Sequence, residues 1–242
     1  GTVSNGEIAT ELGISEPTVR RYLAILESRR MLARTHGGAV ARGSGLDWSM
    51  PARSRHNVDA KQRIAHATAA MIGDRDTIAI NGGTTTAAVA RVLAHHRTAG
   101  SAPTMLVTTA VNIAYELSPQ PEFSVLLTGG SVHTTSLEMI GAIAEATLAG
   151  VSVAIAILGV DGVDPHMGIT TALDMEASTS RAMTRRAQRT IIVADSTKIG
   201  RTAFALICEF SEIDVLVTDV ALPSDLAADF AHAGIEVVVA DS

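Results

Sequence analysis

Apolar positions along the chain follow two periods, and the change between them falls near residue 72. Before it the spacing is helical. Ile8, Ala9 and Leu12 form one face of a helix over Glu7–Leu12, and Gly13 ends it in a left-handed conformation. A second helix starts at once: Ser15 suits the free amides at its start, Glu16 suits the dipole of the first turn, and Pro17 needs no amide donor. Val19, Leu23 and Leu26 share one face, which leaves Thr18, Arg20, Arg21 and Tyr22 on the others. Two short helices across a tight turn, followed by a basic stretch up to Val40, are the layout of a DNA reader. A small helical bundle with a solvated basic face has the same pattern.

Ala41–Asn57 is rich in Gly, Ser and Pro, has no apolar period and reads as a linker, with Trp48 expected to dock it. A helix follows from about Val58 to Ile72, with Ile64, Ala67, Thr68 and Met71 on one face. Beyond it, short apolar runs predict strands at Thr77–Ile80, Met105–Thr108, Ser124–Thr128, Val153–Gly159, Thr190–Ala194, Val215–Thr218 and Glu236–Ala240. Helices are predicted between most of them, at Thr85–Ala94, Val111–Leu117, Leu137–Leu148, Met175–Gln188 and Ser224–Ala233. Continuous apolar strands separated by helices predict an α/β domain with a mostly parallel sheet covered on both faces.

Ligands of such sheets sit beyond the carboxyl ends of the strands. After the first strand come Asn81, Gly82, Gly83, Thr84, Thr85 and Thr86, leading straight into a helix. Glycines allow close backbone approach, threonines add hydroxyls, and free amides at a helix start attract an anion such as phosphate. A glycine turn with a threonine cap is the plain alternative. The second strand leads into Thr109 and Asn112, the third into Gly129 and Gly130. Three polar loops on one edge predict a pocket for a small phosphorylated, hydroxyl-rich molecule. Asp161 and Asp164 follow the fourth strand, Lys198 follows the fifth, and Glu176 opens a helix; Lys198 is placed to neutralise a phosphate or to pair with Asp161. Each of these charges also fits a solvated loop or a helix cap.

The 242 residues, 47% hydrophobic and 18% charged, suffice for one large domain and one small one. A single cysteine, Cys208 in the apolar run Phe204–Cys208, excludes an internal disulfide framework and Cys-rich zinc sites, and reads as a buried small hydrophobe. The eight histidines lack ligand spacing, so no metal and no cofactor is expected. No run of about 18 apolar residues and no secretory start is present, and a cytoplasmic protein without a membrane partner is expected. Residues 1–55 carry eight basic residues against five acids, whereas 56–242 carry eleven against twenty. A positive head on an acidic body suits a phosphate-backbone partner for the head alone.

Ser-Glu-x-Thr-Val-Arg-Arg-x-Leu, then Leu-Glu and Arg-Thr-His-Gly-Gly-Ala, resembles the winged helix-turn-helix signature of the DeoR family of sugar-metabolism regulators. The resemblance implies contacts to double-stranded operator DNA from Ser15, Glu16, Thr18, Arg20 and Arg21 on the recognition helix, and from Arg34, His36 and Gly37 at the wing. Tyr22 stands where the family usually has an acid. The family's domain begins with a further helix, for which only six residues precede Glu7, so a first helix is expected to be missing. Gly-Gly-Thr-Thr-Thr, Val-Thr-Thr-Ala-x-Asn-Ile-Ala, Leu-Thr-Gly-Gly, Gly-Val-Asp-Gly-Val and Ala-Asp-Ser-Thr-Lys-Ile-Gly resemble the DeoR sensor domain, which is similar in fold to ribose-5-phosphate isomerase and glucosamine-6-phosphate deaminase. The domains expected are 1–42, a linker at 43–57 and a sensor at 58–242.

By that resemblance the chain is a repressor of carbohydrate genes, a homodimer or homotetramer, with a phosphorylated sugar effector. The effector would be held by Asn81, Gly82, Gly83, Thr84, Thr85, Thr86, Thr109, Gly129, Gly130, Asp161, Glu176 and Lys198. The alternative is an isomerase or deaminase. Asp161-Gly162-Val163-Asp164 resembles the isomerase's paired aspartates and Glu176 its base, but 165–175 lacks the lysine needed to stabilise an enediolate, so no catalytic residue is expected.

Overall fold

The computed structural model describes residues 2–28, 32–35, 37–41, 54, 56–74, 76–97 and 103–240. They fall into two units, Gly1–His56 and Asn57–Ser242. Trp48, His36 and most of the expected linker lie outside the described residues.

In the first unit β1 (Thr2–Ser4) precedes α1 (Asn5–Leu12), and α2 (Glu16–Ser28) leads to β2 (Leu32–Thr35) and β3 (Gly38–Ala41). Ser4 makes a capping box with Glu7: the Glu7 amide donates to Ser4 Oγ at 3.2 Å, and the Ser4 amide donates to Glu7 Oε2 at 2.7 Å. The Ser4 amide, together with the Ser4 hydroxyl that donates to the same Oε2 at 2.8 Å, holds the Glu7 carboxyl below its ordinary range. Gly13 closes α1 at φ 62°, the left-handed conformation expected. Val19, Leu23 and Ala39 are the buried side chains of this unit's core, and Ile8, Ala9, Ile14 and Leu32 pack on them. β1 is not legible from periodicity, yet it completes a three-stranded antiparallel sheet in the order β1-β3-β2. Gly38 lies opposite Ser4 in that sheet, and a Cβ there would come within 2.0 Å of the Val3 carbonyl oxygen.

The second unit opens with α3 (Val58–Ala70), β4 (Ile78–Ile80), α4 (Thr84–His96), β5 (Thr104–Thr108), α5 (Val111–Leu117) and β6 (Phe123–Leu127). A hairpin, β7 (Ser131–His133) and β8 (Glu138–Ile140), then leads to α6 (Ala142–Ala149) and β9 (Val153–Gly159). The remainder is β10 (Gly162–Asp164), β11 (Gly168–Thr171), α7 (Asp174–Arg186), β12 (Ala187–Val193), β13 (Ala205–Cys208), β14 (Val215–Thr218), α8 (Ser224–His232) and β15 (Glu236–Val239). All seven predicted strands join one parallel sheet, ordered β15-β14-β12-β9-β4-β5-β6.

Side chains alternate across that sheet. Ala156 and Leu158 of β9 enter a cluster with Met183, Phe210 and Phe230, while Ile155 and Ile157 face the side where α3 and α4 pack together. On α3 the buried positions include Ile64 and Thr68 as expected, but Ala65 and Ala69 take the places assigned to Ala67 and Met71.

The predicted helix Leu137–Leu148 is wrong in its first part. Leu137 turns at φ 60°, Glu138–Ile140 is a strand, and α6 starts only at Ala142. A second small sheet, β10-β11-β13, was also not foreseen. Four side chains fix α7 to its surroundings. Ser180 accepts from Asn81, Ser178 donates to Glu145 of α6 at 2.7 Å, Arg181 donates to the Leu206 and Ile207 carbonyls of β13, and Arg186 donates to the Val151 carbonyl at 2.6 Å.

Cys208 is buried, as expected, whereas Phe204 at the head of the same run is 86% exposed. Burial pushes the Cys208 thiol up to about 12. Only the thiolate is nucleophilic, so native protein at pH 8 is expected to resist iodoacetamide for hours, with complete labelling in denaturant when followed by mass spectrometry. Because the folded state favours the neutral thiol, this contribution to stability is intact below about pH 9 and is lost as pH rises towards about 12.

Candidate functional site

In the first unit α2 buries Val19 and Leu23 and turns its polar residues outwards. Ser15 Oγ and Thr18 Oγ1 share a hydrogen bond of 2.9 Å at its start. Arg20 reaches back one turn to Glu16 at 3.0 Å, an exposed pair that costs little to break when a phosphate competes. The Arg21 guanidinium lies 5.4 Å from the centre of the Tyr22 ring, so the residue that departs from the family pattern steadies one of the paired arginines. Gly37, at the wing turn, accepts from the Asn5 amide at 2.8 Å. Arg34 contributes backbone to β2; its side chain lies outside the described residues.

The second site follows from strand order. The chain adds β5 and β6 on one side of β4, then crosses back to place β9 on the other. The crevice between the carboxyl ends of β4 and β9 is therefore the topological switch point, where ligands of open α/β sheets bind. Asn81 closes its base: Nδ2 donates to the Gly159 carbonyl at 2.9 Å and to Ser180 Oγ at 3.2 Å, and the Gly159 amide donates to Oδ1 at 2.9 Å. Both ends of the Asn81 amide are thus engaged in the scaffold.

Gly82 passes over Glu138 so closely that a Cβ would lie 2.2 Å from Glu138 Cγ. Gly83 then opens α4, where no side chain caps the first-turn amides. Thr84 stands at that start, Thr85 and Thr86 are buried, and Thr86 Oγ1 donates back to the Gly83 carbonyl at 3.2 Å. Gly129 and Gly130 carry the chain from β6 into the hairpin. Thr109 Oγ1 donates to Glu138 Oε2 at 2.9 Å.

Across the crevice Lys198 Nζ donates to Asp161 Oδ1 at 3.2 Å, the pairing foreseen from the loops. Thr171 Oγ1 donates to Asp161 Oδ2 at 3.1 Å and lies 3.4 Å from Glu176 Oε2, while Glu176 Oε1 lies 3.2 Å from His133 Nδ1. Asp164 is not part of this group. Its Oδ1 accepts from the His166 and Met167 amides and turns β10 into β11.

His133, Ser136, Glu138 and Thr171 escaped the sequence reading. Glu138 was hidden in the over-long helix, and His133 among scattered histidines; Gly141, in the middle of that helix, was the signal against it. Among the described residues no group of three or more His, Cys, Asp or Glu side chains is arranged to hold a metal ion. Among them also, no helix is long and apolar enough to cross a membrane.

The DeoR C terminal sensor domain family matches residues 56–220, and the DeoR-like helix-turn-helix domain matches residues 1–44. The chain is 29% identical to a putative aga operon transcriptional repressor of Escherichia coli O157:H7, over 99% of this chain and 88% of that protein. It is 31% identical to the HTH-type transcriptional regulator GlpR of Haloferax volcanii, over 96% of this chain and 89% of that one. Among solved structures, ribose 5-phosphate isomerase A of Methanocaldococcus jannaschii superposes with a TM-score of 0.41 at 16% identity, covering 59% of this chain and 55% of that one. A helix-turn-helix unit and a sensor domain, each matched in order along the chain, make this protein a member of the DeoR family of DNA-binding transcriptional regulators.

Proposed function

We propose that the protein is a cytoplasmic homo-oligomeric repressor of carbohydrate genes whose operator affinity is set by a phosphorylated sugar bound at the switch point of the sensor sheet. The observation that carries the ligand reading is the start of α4, where uncapped amides follow a glycine pair in the crevice between β4 and β9. An anion is favoured there by the helix dipole and by hydrogen bonding together. Thr84, Thr85, Thr109, Gly129, Gly130, Asp161, Glu176 and Lys198 surround the remainder of the ligand in this reading, and Asn81 and Thr86 shape the floor. A single short helix offers too few contacts for a specific operator, so paired subunits on repeated half-sites supply affinity and spacing. To move the protein from mostly bound to mostly free, the effector must prefer one arrangement by about 5.5 kcal/mol.

The test is a thermal-shift panel of phosphorylated sugars, followed by operator titration with and without any stabilising compound. Stabilisation without a change in DNA affinity would reject the coupling. Isomerase or deaminase turnover would instead return the enzyme reading. On the DNA side, Arg20→Ala and Arg21→Ala are each expected to weaken binding. A lost base contact costs about 1–3 kcal/mol, and a lost phosphate contact lowers the salt slope by about 1. Lys198→Ala is expected to leave operator affinity unchanged in the absence of effector and to weaken the effector response, read by the same titration.

A further inference from the structure

The β7–β8 hairpin is a strap across the carboxyl edge of the sheet. On one side it is bonded to the segment between β5 and α5: the Val111 amide donates to the Leu137 carbonyl at 3.0 Å, and the Met139 amide to the Thr109 carbonyl at 2.7 Å. On the other side it reaches α7 through His133 and Glu176, 3.2 Å apart. Its two strands are only three residues each, its turn holds Leu137 at φ 60°, and its buried side chains include Ser136 and Glu138. Ile140 of β8 is buried beside them, so the strap sets two buried polar groups next to one apolar anchor.

His133 Nδ1 lies between two partners, Glu176 Oε1 at 3.2 Å and Ser136 Oγ at 3.1 Å, so Nδ1 is engaged within the protein. Nε2 is the ring nitrogen left to meet a hydroxyl, as acceptor when Nδ1 carries the proton and as donor when it does not. Among the described residues Nε2 has no hydrogen-bond partner, and the side chain is 29% exposed. Next to the strap's other anchor, Asn112 Oδ1 is buried with no hydrogen-bond partner among the described residues. A partly exposed ring nitrogen with no protein partner at the rim of the crevice suits a hydroxyl of the ligand.

We infer that the strap forms a hydroxyl-reading subsite centred on His133 Nε2, which binds the polyol portion of the ligand while the start of α4 holds its phosphate. This inference rests on the proposed ligand site and divides it into two separable halves. His133 is then a specificity-determining residue.

The experiment measures the affinity of the full chain for a pentose 5-phosphate, a hexose 6-phosphate, a triose phosphate and inorganic phosphate, in the wild type, His133→Ala and His133→Gln. The expected result is at least a tenfold loss for the preferred sugar phosphate in His133→Ala, no change for inorganic phosphate, and partial recovery in His133→Gln, whose amide still accepts. Equal losses for sugar phosphate and inorganic phosphate, or no loss for either, overturn the subsite and leave the anion site standing. If none of the four compounds binds the wild type, both readings fall together. Unliganded melting of each variant identifies misfolding, and in that event His133→Asn, which keeps a polar amide on a shorter side chain, makes the same comparison, with the same outcomes decisive.

Discussion

Leu23→Ala is expected to abolish operator binding while leaving the sensor unit folded. Leu23 is 6% exposed and belongs to a core whose buried members are Val19, Leu23 and Ala39, with smaller contributions from residues packed around them. Truncating a buried leucine removes apolar contact and leaves a cavity, at a cost of about 2–5 kcal/mol. A unit as small as Gly1–His56 buries a modest fraction of its surface and has little stability in reserve, so a loss of that size unfolds it. The effect on DNA binding therefore exceeds that of removing either arginine, although Leu23 touches no nucleic acid in this reading. Fluorescence anisotropy on an operator fragment and calorimetry together check it: binding disappears and the transition of the larger unit stays in place. Retained binding by Leu23→Ala would mean that the helix is held by something other than this core.

Asn81→Ala is expected to destabilise the ligand-free sensor by about 3 kcal/mol, which for a domain of this size lowers the melting temperature by about 6–12 °C. The sequence offered Asn81 as a ligand contact, but its amide makes three hydrogen bonds that tie the end of β4 to Gly159 of β9 and to Ser180 of α7. Alanine leaves the Gly159 amide and carbonyl without those partners in a buried place, and the penalty for unmade bonds exceeds the gain from making them. Asn81→Asp tests the same point with little change in volume, because it removes the Nδ2 donor. Melting of the unliganded protein separates scaffold from contact. Unchanged melting with weakened effector binding would return Asn81 to the role of a contact alone.

Much of the larger unit was legible because a parallel strand is buried on both faces and therefore reads as an unbroken apolar run. Val153–Gly159 and Val215–Thr218 match their predicted limits to the residue. The strap was not legible for the opposite reason. Its strands carry Ser131, His133 and Glu138, and the spacing of Ile140, Ala144 and Leu148 beyond them imitates a helix that begins too early. The candidate ligand site divides along the same line. Residues that follow a sheet strand, such as Asn81, Thr109, Asp161 and Lys198, could be named from strand order and turn chemistry, whereas His133 and Thr171 reach the crevice through pairings that no local pattern announces. In the smaller unit β1 was missed because three residues cannot establish a period, and Gly38 betrays it only when the two backbones are seen side by side.

The anchoring of α7 has a mechanical consequence. The helix is 13 residues long, which at the rise of an α-helix is about 20 Å, and it carries Glu176 in its first turn and Arg186 at its last residue. Ser178, Ser180, Arg181 and Arg186 tie its length to α6, the residue after β4, β13 and the loop before β9, so any tilt is carried along the whole helix rather than absorbed by bending. A tilt of roughly 5° about its first turn sweeps its far end through about 1.7 Å over that length. That is more than half a hydrogen-bond length, enough to break the bond from Arg186 to Val151 and to turn a small rearrangement at Glu176 into a change of partners on the opposite border of the sheet.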